Sequence, residues 1–167
     1  MLSDMEACIP ALRRYASALL SGRQDADDLV HDCLVRALER LHTRREDVAI
    51  RVWLFAIMHN LFISQLRKAK VRRRVERLDE SSAAELGVRA TQEDRLQWRD
   101  LLRGLDGLSE DQRTVVLLVS VENLSYAEVA SVLGIPIGTV MSRLARGRER
   151  LRQLTGQEAR PLLRRVQ

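Results

Sequence analysis

"LSYAEVASVLGIPIGTVMSRLARGRERLRQ", residues 124–153, holds two short helical patterns parted by Gly134 and Pro136, and the second is crowded with arginine. "SYAE" at 125–128 fits the Ser-x-x-Glu box, in which two side chains satisfy the free amides of a helix start. A helix of about eight residues, a turn containing Gly134 and a longer helix make the helix-turn-helix pattern. At about 100° per residue, Leu144, Gly147 and Leu151 stay within about 40° of Val140, a side suited to packing inward. Gly138, Met141, Ser142, Ala145, Arg146 and Glu149 fall on the opposite side, and Arg143, Arg148 and Arg150 lie at the flanks, within reach of phosphates bordering a groove. An outward face of small and moderate side chains enters a major groove about 12 Å wide without obstruction. A capped helix, a glycine turn and such a face together point to duplex DNA rather than to an arginine-solvated surface helix. Base preference is not written in the pattern.

Upstream, "SEDQ" at 109–112 is a second capping box, opening a helix through Val115, Val116, Leu118 and Val119 that stops near Asn123. A helix over about 94–105, carrying Leu96, Leu101 and Leu102, precedes it. Residues 96–158 therefore read as one helical domain and 159–167, with Pro161, as a frayed tail. The polar stretch "ERLDESSAAELGVRATQEDR", residues 76–95, has weak periodicity and reads as a flexible linker.

Residues 1–75 form a second set of helices. Pro10 suits a first helical turn and Gly22 a stop, which predicts a helix over about 10–21. The next begins near Asp25, with Asp27 and Asp28 favourable at its positive end. Val30, Leu34, Ala37, Leu38 and Leu41 make its expected buried stripe. A third helix is expected over about 48–73, with Trp53, Leu54, Ile57, Leu61 and Leu66 as its core side. No alternating strand pattern or internal repeat is present, so the expected fold class is all-α: two small helical domains joined by a flexible linker.

Composition agrees. Of 167 residues 46% are apolar and only 4% aromatic, which supplies cores and favours helices over sheets. The formal charge of +5 and pI near 10.0 suit an anionic partner. No apolar run approaches the roughly 20 residues that span a bilayer, so no membrane insertion is expected. "MLSDMEACIP" lacks the basic-then-apolar order of a secretion signal, and the chain is expected to be cytoplasmic. Cys8 and Cys33 have no metal-site or redox-pair spacing, and His31 lies on a different side of its helix from Cys33. No metal or cofactor is expected.

Two charge poles remain. Asp25, Asp27, Asp28 and Asp32 crowd one stretch. Asp28 and Asp32, one turn apart, share with His31 the face away from the Val30–Leu34 stripe. Capping and solvation account for such acids, and so does a basic partner. The other pole, "RKAKVRRRVER" at 67–77, follows "WLFAIMHNLFISQL" at 53–66, where Asn60, Phe62 and Ser64 interrupt an apolar run. Charge beside an amide and an aromatic suits single-stranded nucleic acid, in which phosphates are tracked and unstacked bases held. Trp53 is expected in the core; Phe62 fits either core or base contact. No nucleophile, acid–base pair or phosphate-cradling glycine loop accompanies these features, so a positioning protein is expected rather than an enzyme.

"DADDLVHDCLVRALERL" (25–41), "WLFAIMHNLFISQLRK" (53–68) and "LSYAEVASVLGIPIGTVMSRLARGRERL" (124–151) resemble, in order, bacterial RNA polymerase sigma factors of the extracytoplasmic-function (ECF) group. The resemblance implies a sigma-2 domain, a linker and a sigma-4 domain in a dissociable initiation subunit. Its implied partners are core RNA polymerase (the β′ clamp helices and the β subunit), promoter DNA and an anti-sigma factor that covers the same surfaces. By the same resemblance Asp28, His31 and Asp32 engage the clamp helices. Asn60, Ser64, Arg67 and Lys68 fall where the −10 element is read and melted. Met141, Ser142, Ala145 and Arg146 fall on the helix that reads the −35 element, with Arg143 and Arg148 beside them. His31 stands where Gln is common, Ser64 where Asp or Asn is frequent, Met141 where a basic residue is common and Ala145 where the residue is often larger. The last two favour methyl contacts or shape readout over an arginine–guanine fork. The rival expectation is an autonomous helix-turn-helix regulator that uses 10–75 for dimerisation or sensing.

Overall fold

The computed structural model describes residues 2–20, 23–76 and 104–155, and among these every regular element is helical. The chain divides into two compact units, residues 1–86 and 87–167. The expected linker beyond residue 76, the part of the 94–105 helix that carries Leu96, Leu101 and Leu102, the Gly22 stop and the 159–167 tail lie outside the described residues.

The first unit contains α1 (Leu2–Leu19), α2 (Arg23–Glu39), a 3₁₀ turn (Leu41–Thr43) and α3 (Ile50–Glu76), and each of the three helices packs on the other two. α1 begins well before Pro10, contrary to the expectation that proline opens it. Met5, Cys8, Leu12, Tyr15 and Leu19 are buried at alternating spacings of three and four, so apolar burial carries the helix through the proline. Pro10 itself is exposed, as is Glu6, whose carbonyl loses its helical donor to the ring and is left to water.

α2 buries Ala26, Leu29, Val30, Cys33 and Ala37. Leu38, expected inside, is 51% exposed, because it lies about 100° beyond Ala37 on the helix. Leu41 belongs to the 3₁₀ turn and is half-buried. α3 buries Val52, Leu54, Phe55, Ile57, Met58 and Phe62, whereas Trp53, Leu61 and Leu66 are only half-buried at its margins. Phe62 is thus core and not a base contact. The Tyr15 and Phe55 rings meet edge-on at 5.3 Å and 87°, Arg51 lies 5.6 Å from the Phe55 centroid, and the Cys33 thiol donates to the Leu54 carbonyl at 3.5 Å.

The described part of the second unit begins with helical residues 104–106, tied to the next helix by Arg113, whose Nε donates to the Leu105 carbonyl at 2.9 Å. α4 (Glu110–Val116) runs into a π turn (Leu117–Val121), then α5 (Tyr126–Leu133) and α6 (Ile137–Thr155) follow. Both expected capping boxes form: Ser109 with Gln112 and Ser125 with Glu128 each exchange backbone and side-chain bonds. Asn123, at φ 54°, ends the first of these segments in the left-handed region. In the π turn the Glu122 amide donates to the Leu117 carbonyl at 3.0 Å, one residue further back than in an α-helix. α6 packs on both α4 and α5.

Candidate nucleic-acid and protein interface

The helix pair is built locally. Ser125 accepts from the Glu128 amide at 3.3 Å and its own amide donates to the Glu128 carboxylate at 2.7 Å, which starts α5. Gly134, at φ 64°, stops it in a conformation that disfavours any side chain. Between α5 and α6 the chain axis bends by 103°, within the helix-turn-helix range. No single helix among the described residues is long and apolar enough to cross a membrane.

α6 is two-faced. Val140, Leu144, Gly147 and Leu151 are buried; Gly138, Met141, Ala145, Arg146 and Glu149 are exposed and Ser142 is half-buried, its hydroxyl donating to the Thr139 carbonyl at 3.1 Å. The face that helical spacing pointed outward is the exposed one. The flanking arginines differ from one another. Arg143 is half-buried and pairs with Asp111 of α4 at 2.7 Å. Arg148 is half-buried, with its Nε out of contact with solvent. Arg146 and Arg150 are exposed.

In the first unit, Asp28, His31 and Asp32 are all exposed on the side of α2 opposite its buried row. Val35 and Leu38, at 42% and 51% exposure, continue that face. Val35, seven residues after Asp28, lies about 20° from it around the helix, and Leu38, expected inside, lies about 80° from it on the His31 side. On α3, Asn60, Ser64, Arg67 and Lys68 recur at spacings of four, three and one and are all exposed, while Phe62 is buried on the other side. The structure thus gathers three of the sequence-predicted residues on α2, four on α3 and six on α6.

Both cysteines are buried. Burial pushes the Cys33 thiol up to about 12 and raises Cys8 as well, so both stay protonated at neutral pH and lack the reactive thiolate. Among the described residues no three His, Cys, Asp or Glu side chains are grouped as metal ligands would be.

Comparison with known proteins matches two family models: the sigma2 domain of PhyR over residues 5–59, and sigma-70 region 4 over residues 98–151. The ECF RNA polymerase sigma factor EcfG of Rhodopseudomonas palustris is 37% identical over 151 residues, which cover 90% of this chain and 82% of the relative. The chain belongs to the ECF sigma factors. Sigma factors are non-catalytic subunits of transcription initiation. Among solved structures, the sigma factor RpoE bound to the anti-sigma factor NepR from Bartonella quintana superposes with TM-score 0.82 at 32% identity, covering 93% of this chain and 96% of that one. The structure of CnrH in complex with the cytosolic domain of CnrY gives 0.67 at 26%, covering 89% of this chain and 82% of that one.

Proposed function

We propose that this ECF sigma factor is a dissociable cytoplasmic subunit that binds core RNA polymerase and carries two DNA-reading units to one promoter. The acidic shoulder of α2, with Asp28, His31 and Asp32, docks on the β′ clamp helices, and Val35 and Leu38 add apolar area to that contact. Asn60, Ser64, Arg67 and Lys68 of α3 hold the −10 strand. Melting follows from capture of its flipped bases, since the unpaired base gains contacts that the stacked one lacks. Met141, Ser142, Ala145 and Arg146 of α6 enter the −35 major groove, with Arg143 and Arg148 toward the phosphates. The domains are residues 1–75 and 96–158 with 76–95 as tether; the tether raises the effective concentration of each reading unit once the other is bound.

The observation that carries this reading is the outward face of α6, with Gly138, Met141, Ala145, Arg146 and Glu149 exposed beyond a buried row on a helix pair bent by 103°. Membership of the ECF family disfavours an autonomous regulator. Similarity to a sigma factor crystallised with NepR supports an anti-sigma factor of that kind as the partner that holds the free chain. The test is reconstitution with core polymerase and a genomic promoter library, followed by run-off transcription. A set of transcripts sharing −35 and −10 elements is expected; their absence would overturn the reading.

A further inference from the structure

The outward face of α6 is divided lengthwise. Measured around the helix from Ile137 at about 100° per residue, Met141 lies near 40° and Ala145 near 80°, whereas Arg146 and Arg150 lie near 180° and 220°. From Ile137 to Ala145 one edge is therefore apolar, continued toward the C-terminus by Arg148 and Arg152 near 20° and 60°, and the other edge is cationic. Ile137 and Met141 are 49% and 53% exposed, and Ala145 is exposed as well. Between the edges stand Gly138, where an added Cβ would meet nothing within 4 Å, and Glu149. Glu149 is engaged within the helix by Arg152 at 2.6 Å and by the Gln153 amide at 3.3 Å. Single exposed apolar side chains are ordinary on a surface. Three in register at i, i+4 and i+8 on a helix otherwise dressed in arginine and glutamate form a strip about 12 Å long.

A duplex major groove offers partners to both edges at once. Phosphates complement Arg146 and Arg150, and among the base edges only thymine presents an apolar group there, its C5 methyl. With base pairs about 3.4 Å apart, the strip spans roughly three steps. Ile137 stands at the N-terminal end of the helix, the end that reaches base edges in helix-turn-helix docking. We infer that Ile137, Met141 and Ala145 read the methyl groups of thymines in the −35 element, while Arg146 and Arg150 hold the phosphate wall. This inference rests on the −35 assignment above and adds Ile137 as a specificity-determining residue.

The test uses holoenzyme on the best promoter from the library selection, with each −35 thymine of either strand replaced in turn by deoxyuridine, which removes only the methyl. At one or more positions promoter occupancy should fall about threefold to fivefold, the effect of returning one methyl to water. 5-Bromodeoxyuridine, whose bromine fills the methyl's space, should restore it. Ile137→Ala and Met141→Ala should each bind the thymine promoter more weakly and lose discrimination against deoxyuridine; circular dichroism of these exposed-site variants should match the parent. Equal occupancy of thymine and deoxyuridine promoters by the unmodified protein would overturn the inference and leave the apolar edge to a protein partner. A selected −35 element without an A·T pair would overturn it too. Loss of all promoter-specific transcription would instead sink the initiation reading, and this inference with it.

Discussion

Gly147 of α6 lies so close to Val116 of α4 that a Cβ on it would stand 2.7 Å from the valine Cγ2. α6 is seated on α4 through that missing side chain. Alanine in a helix interior normally gains about 1 kcal/mol over glycine. Here overpacking costs about 1–3 kcal/mol, so Gly147→Ala should lower the unfolding midpoint of the second unit. Adding Val116→Ala should recover part of the loss. A Gly147→Ala protein at least as stable as the parent in denaturant titration would contradict the close seating.

Asp28→Arg reverses charge on the exposed face of α2 without touching its core. Affinity for core polymerase should fall roughly a hundredfold, the scale of ~2–5 kcal/mol for a disrupted interfacial charge pair. Thermal stability should hardly change. Polymerase pull-down and binding titration decide it: undiminished binding removes the clamp contact from this face. The same variant tests the autonomous regulator, whose operator affinity would not depend on Asp28.

Arg143 is held by Asp111 at 2.7 Å. Asp111→Ala should free the guanidinium and remove a negative charge near the DNA. Affinity of holoenzyme for promoter DNA should rise a few-fold, with a salt dependence steeper by about one phosphate contact. Unfolding free energy should move by less than ~1 kcal/mol, as for other pairs near the surface. Unchanged affinity and slope would mean that Arg143 serves α4 alone.

Ser125→Ala removes the hydroxyl that accepts from the Glu128 amide. A loss of about 1 kcal/mol is expected, and Ser125→Thr should retain most of the parent's stability. Differential calorimetry on the three proteins checks both.

Cys33 carries a pH signature. Its thiol, raised by burial from 9.0 to about 12, stays protonated in the folded chain where the unfolded chain has begun to ionise. The folded state then binds more protons, so its contribution to stability is complete below pH 9 and is lost as pH climbs toward 12. Between pH 9 and 10.5 the parent should lose stability faster than Cys33→Ala by up to about 1 kcal/mol per pH unit. Parallel stability profiles for the two proteins would show that the thiol ionises freely when folded.

Helices were legible where local chemistry acts alone. The two Ser boxes, Gly134 and the stop near Asn123 are decided within four residues and were read correctly, as was the sidedness of α6. Errors arose where packing overrides local preference. Pro10 promised a start, yet the buried residues Met5 and Cys8 extend α1 ahead of it. Leu38 fits the three- and four-residue spacing of the expected stripe, yet burial of Ala37 fixes the inward row about 100° away from it. The π turn has no composition signal, because a wider hydrogen-bonded ring requires no residue type of its own. Nor is the bond from Arg143 to Asp111 visible in spacing, since the partners stand 32 positions apart in different helices.

The π turn holds one residue more than an α turn. The i→i−5 ring of Leu117–Val121 takes up that residue within one wider turn, so the chain beyond it keeps nearly the bearing it would have after an α turn one residue shorter. A residue lost from Glu110–Val116, where no wider ring absorbs the change, would swing everything downstream by about 100°. Asn123, the Ser125 box and the seat of Gly147 would then fall out of alignment together, so such a variant should be more damaging than one lacking a residue of the π turn.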